Sequence, residues 1–348
     1  MNPAQKSLSP FEPAQLPVIL GGGNSPVRAR LAPTPSGFLH PGNAFSFVLT
    51  WLLVRAQKGR LLLRIDDLDA TRTRAEYIDD LFASLDWLGL EYDEGPSGPA
   101  DFQQSWSQRH RLGLYEQALR GLAQAEQLFA CGCSRKQLQA RAPDGRYPGT
   151  CAGLKRPLEQ VDVAWRLRLE PPDGLMRDPS GAEDEQWVQE LMPYTILRRR
   201  EGLPAYQLAS VVDDVHFGVN LMVRGEDLLG STTFQRMLAR RLAWVGVEGM
   251  EAFGSATFLH HPLLYEDPTR KVSKSHDDLS LLQLRRVWPT PAPLLRWVGE
   301  ILGLPAFDGS LVGLRAVFEA TVKGPGRTLG LSWPAETRLP MLTTSSRF

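Results

Sequence analysis

The sequence carries no net charge: 39 Lys and Arg are balanced by 39 Asp and Glu. No global positive field therefore draws it to nucleic acid, and any RNA contact must come from a local patch. Long apolar runs are also missing. The most apolar stretch, residues 45–54, is interrupted by Ser46 and Thr50 and falls well short of the ~20 residues that span a bilayer. Residues 16–20 are too few for the core of a signal peptide. The pattern gives no membrane span, and a cytoplasmic chain is expected. Cysteine is scarce as well. Its three copies, Cys131, Cys133 and Cys151, all fall within 21 residues, and an odd, clustered trio argues against a disulfide framework.

What the sequence does have is apolar material for one large or two medium domains, since 43% of its 348 residues are hydrophobic. Residues 1–25, with four prolines and the run Gly21-Gly22-Gly23, show no sustained period and are expected to form a mobile leader. From Phe45 the apolar positions Phe45, Val48, Leu49, Leu52, Leu53 and Ala56 follow helical spacing, which Gly59 ends. Residues 61–65 then read as a buried strand delivering Asp66, Asp67 and Asp69 at its carboxyl end, and 76–89 return to helix. Such alternation predicts an open α/β sheet, in which ligands gather beyond the carboxyl ends of the strands. Residues 110–200 interrupt it with helix, a Gly/Pro-rich loop at 142–153 and an alternating strand at 164–169, as an inserted subdomain would. Strands at 211–212 and 221–223 and a helix at 233–245 resume the pattern. Apolar helical stretches follow near 279–288 and 292–302, and beyond about 330 the chain is polar without period.

Two short segments carry the chemistry. In the first, residues 32–43, Pro41 suits the opening turn of a helix because it lacks the N–H that is unpaired there, and Gly42 lets another group approach the backbone. Phosphates bind at such helix starts, where free N–H groups and the dipole converge, and His40 just ahead can donate to phosphate oxygens. In the second, Lys271 and Lys274 follow the turn signal Asp267-Pro268-Thr269-Arg270. Lysines brought in on a loop stabilise negative charge that builds on a phosphoryl group in a transition state. Taken singly, each segment also reads as a surface turn or a solvated charge run.

Together these segments resemble the HIGH and KMSKS signatures of class I aminoacyl-tRNA synthetases, and Arg30 ahead of the first resembles the glutamyl group. The resemblance covers about residues 28–320 and implies a Rossmann-like α/β catalytic domain. It implies ATP with Mg2+ bound through His40, Gly42, Asn43, Lys271, Ser273 and Lys274, with His40, Lys271 and Lys274 catalytic. Glutamate has two carboxylates and one ammonium, so its site needs separated cations and one anion. By resemblance these come from Arg30, Leu31, Ala32, Pro33, Thr34, Asp66, Tyr206 and Arg224. Pro41 replaces a large aliphatic residue of the family. Asp66 stands where the family usually carries glutamate, and its shorter side chain is expected to weaken or re-aim the ammonium contact.

Cys131-x-Cys133, then Tyr147 and Cys151, resembles the zinc site of glutamyl-queuosine tRNA(Asp) synthetases, with a phenol oxygen as fourth ligand. Three buried thiols without a metal are the plainer alternative. The family resemblance implies activation of glutamate without tRNA, then its transfer to queuosine in the anticodon loop of tRNA(Asp), by a monomer. The implied organisation is a leader (1–25), the first half of the catalytic domain (26–108) and an inserted zinc-bearing acceptor-type subdomain (109–200). The second half with the lysine loop (201–278), a short helical stem (279–330) and a flexible tail (331–348) follow. The 73 residues after Ser275 fall short of an anticodon-binding domain. A truncated glutamyl-tRNA synthetase charging a tRNA 3′ end and a non-catalytic RNA- or amino-acid-binding paralog remain as alternatives. Arg198, Arg199, Arg200, Arg236, Arg240 and Arg241 are either RNA contacts or an ordinary solvated face.

Overall fold

The computed structural model describes residues 26–69, 71–141, 146–170, 181–261, 265–267, 270–271 and 280–322. The leader and the tail lie outside the described residues. Within them the strands are β1 (Arg28–Leu31), β2 (Arg60–Leu63), β3 (Leu128–Cys131), β4 (Ala164–Leu167), β5 (Ile196–Arg198), β6 (Leu221–Gly225), β7 (Thr257–His261), β8 (Tyr265–Asp267) and β9 (Arg270–Lys271). The chain divides into two compact units. The first takes the segments up to Ser107, Leu221–Asp227 and from Thr257 onward; the second takes Gln108–Asn220 and Leu228–Ala256.

The first unit is built on a parallel sheet of order β2-β1-β6-β7, the open α/β arrangement expected from the alternation. Alternate residues of a strand face opposite sides. Ala29, Leu31, Leu61, Leu63, Leu221, Val223 and Leu259 accordingly share a core with the Pro41–Ala56 helix. Of the positions its spacing picked out, that helix buries Phe45, Val48, Leu49, Leu52 and Leu53 and leaves Ala56 partly buried at its end. The Ala75–Leu88 helix stops where Gly89 turns left-handed (φ 72°). Helices Leu281–Val287 and Ala292–Ile301 form where expected, and a further helix, Leu311–Val322, follows. All three contribute to the core beneath the Pro41 helix through Leu281, Leu284, Leu294, Trp297 and Phe318. No described helix is long and apolar enough to cross a membrane.

The second unit contains the antiparallel sheet β3-β4-β5 and helices Leu112–Gln124, Tyr206–His216 and Leu229–Trp244. The strand expected at 211–212 is instead the middle of the Tyr206 helix. Val211 and Val212 favour a strand locally, but with Leu208 and Ala209 they form a helical apolar face that packs against the Leu112 and Leu229 helices. Through that packing the Tyr206 and Leu229 helices belong to the second unit, although 201–278 reads in sequence as catalytic domain.

Candidate active site and cysteine cluster

β2, β1 and β6 are neighbours, so their carboxyl ends share one edge of the sheet. Arg30 is next to last in β1, Arg224 next to last in β6, and Asp66 lies just past β2. Register sets Arg30 beside Leu62 in β2, and Arg224 beside His260 in β7. Both arginines therefore sit on the face opposite the Pro41 helix. All three charged residues are buried. The Arg224 guanidinium stacks over Phe258, 5.0 Å from the ring centroid. Asp66 is gripped at both oxygens by Arg64, with Nε at 2.7 Å from Oδ1 and Nη2 at 3.2 Å from Oδ2. The backbone N–H groups of Arg64 and Asp66 donate to the carbonyls of Leu31 and Pro33 (both 2.9 Å), which lays residues 31–34, with Ala32 and Thr34, alongside the acid. Asp66 thus meets any ligand as one half of an ion pair. Sequence reasoning missed Arg64, although a spacing of two along an extended segment puts both side chains on one face.

His40 caps the Pro41 helix in an extended conformation, and its backbone N–H donates to Asn43 Oδ1 at 3.0 Å. Asn43 therefore closes the helix start with its own side chain. Ser46, one turn on, lies 3.1 Å from the Gly42 carbonyl and 2.5 Å from His261 Nε2, joining this first turn to the end of β7. Lys271 ends the β8–β9 hairpin. Its side chain, with Ser273 and Lys274, lies outside the described residues. Tyr206 opens its helix in the second unit with an exposed side chain.

The second unit also gathers the cysteines. Cys131 ends β3, and the Sγ atoms of Cys131, Cys133 and Cys151 all lie within 4.8 Å of one another. The Tyr147 hydroxyl is 3.4 Å from Cys131 Sγ and 3.9 Å from Cys133 Sγ, and it accepts the Cys151 N–H at 2.8 Å. Zinc at ~2.3 Å from each sulfur in a tetrahedron spaces its ligand atoms by roughly 3.5–4 Å, so these four atoms fit one ion with little movement. Burial raises the Cys131 thiol, but donors from Tyr147, the Cys133 backbone and Arg166 outweigh it and bring it down to about 7. Burial and the Cys151 thiol push Cys133 up. The trio and the phenol oxygen together form a soft donor set.

The family described as tRNA synthetases class I (E and Q), catalytic domain, matches residues 26–298. The chain belongs to this family. A Glutamyl-Q tRNA(Asp) synthetase of Nitratidesulfovibrio vulgaris is 36% identical over 295 residues, covering 80% of this chain and 87% of its own. A Glutamate--tRNA ligase 2 of Syntrophus aciditrophicus is 32% identical over 295 residues, covering 81% of this chain and 58% of its own. In fold, the glutamate-tRNA synthetase of Elizabethkingia anophelis aligns with a TM-score of 0.61 at 19% identity, over 85% of this chain and 65% of that one. The resemblance stated from the motifs therefore holds, and this class I synthetase is a ligase.

Three features of the synthetase were not legible beforehand. Asp213, fully buried, accepts from Gln108 (2.8 Å), Arg111 (3.0 Å) and Tyr115 (2.7 Å), pinning the Leu112 helix to the helix that Tyr206 opens. Arg241 is neither an RNA contact nor a solvated residue: it is 1% exposed and paired with Glu185 at 2.6 Å. Arg240 and Arg200 likewise face acids, Asp184 and Asp162.

The third is His260, beside Arg224. Burial, then the charges of Arg224 and His261, lower it to about 4. An unfolded histidine titrates near 6.5, so between about pH 6.5 and 4 the unfolded chain binds the extra proton. Stability from this site is therefore full above pH 6.5 and is lost as pH falls toward 4. His260→Gln should flatten the decline in urea midpoint between pH 7 and 5; an unaltered decline would remove His260 as its source.

Proposed function

We propose that this protein activates glutamate with ATP, without requiring tRNA, and transfers it to queuosine in the anticodon loop of tRNA(Asp), in the cytoplasm. The observation that carries the activation step is the placing of Arg30, Arg224 and the Arg64–Asp66 pair along one sheet edge. The arginines supply separated cations for the two carboxylates, and Asp66 the anion for the ammonium. A carboxylate oxygen of glutamate attacks the α-phosphorus of ATP and pyrophosphate leaves. His40, the Gly42 N–H at the helix start, Lys271, Ser273 and Lys274 hold the phosphates, and Mg2+ accompanies the nucleotide. Relatives bearing the Glutamyl-Q tRNA(Asp) synthetase name support queuosine as acceptor. ATP–pyrophosphate exchange with glutamate tests the reading. Exchange without tRNA is expected; strictly tRNA-dependent exchange points to a glutamyl-tRNA synthetase, and none at all to a non-catalytic paralog.

Asp66 gives a sharper expectation. Charge-assisted hydrogen bonds contribute ~1.5–3 kcal/mol, so Asp66→Ala should weaken glutamate about ten- to a hundredfold. It also breaks the buried ion pair with Arg64, so the same variant should lose up to ~3–5 kcal/mol of stability. Asp66→Glu should keep both within a few-fold. Unchanged glutamate saturation in the folded alanine variant would take Asp66 out of the site.

Cys131, Cys133, Tyr147 and Cys151 would hold one structural zinc, which cross-links the segments around β3. A closed four-ligand site leaves no open position for substrate. Elemental analysis should find about one zinc per chain. Cys133→Ser should lower thermal stability more than it slows adenylate formation per folded molecule. Zinc-free protein of ordinary stability would contradict this.

A further inference from the structure

Arg166, on β4, is a buried cation without an evident counter-ion. It is 6% exposed, and among the described residues no carboxylate pairs with its guanidinium. Its Nη1 donates to the Tyr194 carbonyl at 2.8 Å, whereas its Nε is buried with no hydrogen-bond partner among the described residues. An isolated charge in such a place is costly unless it is compensated. The guanidinium lies 4.1 Å from the centre of the Tyr147 ring, whose hydroxyl is 3.4 Å from the Cys131 sulfur. The anion available to it is therefore the cysteine cluster. Arg156 approaches the same turn, where a Cβ on Gly132 would come within 2.6 Å of its Nη1, but Arg156 is exposed and water screens it.

We infer that Arg166 is the charge-compensating residue of the metal site, resting on the zinc reading above. Zinc with three thiolates carries one net negative charge, and two if the phenol is deprotonated. These ligands pack among Phe129, Leu138, Ala152 and Tyr194, where such an excess is poorly solvated. Arg166 offsets it and fixes the Tyr147 ring by stacking. The cysteines alone do not account for a buried arginine at this spot. A fixed positive charge stacked on the phenol that meets those sulfurs does.

Zinc affinity, measured by competition with a chromophoric chelator on purified full-length protein, separates charge from mere packing. Arg166→Gln retains an N–H for the Tyr194 carbonyl and loses the charge; it should bind zinc about ten- to a hundredfold more weakly, the range for losing such a supporting group. Arg166→Lys keeps the charge and loses the planar stack, and should stay within roughly tenfold of the parent. A glutamine variant with parental zinc affinity, or a lysine variant weaker than the glutamine one, would overturn the assignment and leave Arg166 as a support for Tyr194. If the glutamine variant does not fold, the lysine variant still decides, because a loss of a hundredfold or more there contradicts charge compensation. A parent that binds no zinc defeats the zinc reading itself, an outcome distinct from a parent that binds zinc regardless of residue 166.

Discussion

Replacing Lys274 by alanine should slow glutamyl-adenylate formation by roughly 10²–10³-fold, the scale of losing one preorganised electrostatic group, and should leave glutamate saturation nearly unchanged. The split follows from where charge develops. Attack on the α-phosphorus builds negative charge on the phosphoryl oxygens and on departing pyrophosphate, whereas glutamate's side-chain carboxylate and ammonium keep the same charges in ground and transition states. The proposed glutamate ligands Arg30, Asp66 and Arg224 belong to the sheet edge. Lys274 follows the β8–β9 hairpin, three residues beyond Lys271. Exchange rates at saturating glutamate, with the glutamate concentration varied separately, check both halves. Adenylate formation at the parental rate would mean that Lys274 is not the phosphate-binding lysine. A raised glutamate requirement with an unchanged maximal rate would place it among the amino-acid ligands instead.

The parts of this site that were legible in sequence are those in which local rules and tertiary packing agree. Proline and glycine after His40 mark a helix start because backbone chemistry demands it, and the Pro41–Ala56 helix begins there. Alternation of helix and strand predicted the open α/β sheet, and with it the carboxyl edge at which Asp66 lies. What stayed hidden depends on partners distant in sequence. Asp213 is one of two adjacent acids in a helix, and nothing local says that Gln108, Arg111 and Tyr115 converge on it from over 90 residues away. Arg241 looks like one arginine of a basic run, and only Glu185 and the carbonyls of Arg168 and Leu169 make it a core residue. Val211 and Val212 misled in the opposite direction, because β-branched propensity is a weak preference that helix packing overrides. The cysteines were legible as a cluster, but Arg166 was not. Its role appears only when β4 pairs with β3, setting Ala164 opposite Cys131 and Arg166 opposite Phe129.

Labelled glutamate should appear on tRNA(Asp) that carries queuosine and survive removal of the terminal adenosine. The same tRNA with unmodified guanosine, and tRNA(Glu), should remain unlabelled. The argument is one of nucleophiles. In glutamyl-adenylate the carbonyl carbon awaits a hydroxyl oxygen; when that oxygen adds, the bond to the phosphate oxygen breaks, AMP leaves and the hydroxyl proton passes to solvent. A 3′-terminal ribose and the cyclopentene ring of queuosine both offer such a hydroxyl, so chemistry alone does not choose between them. RNA placement does, and it must come from a local patch, because the 39 positive and 39 negative side chains leave no overall field. Arg200, Arg240 and Arg241 are already engaged with Asp162, Asp184 and Glu185, which reduces what that patch can recruit from the basic runs. A small dock favours bringing one loop to the activated carboxyl, and guanosine lacks the cyclopentene hydroxyl that such a loop would present. Labelling should also fall steeply with added salt, whereas tRNA-independent exchange should not. Stable charging of tRNA(Glu) that disappears with its 3′ adenosine would reverse the assignment and make this protein a glutamyl-tRNA synthetase.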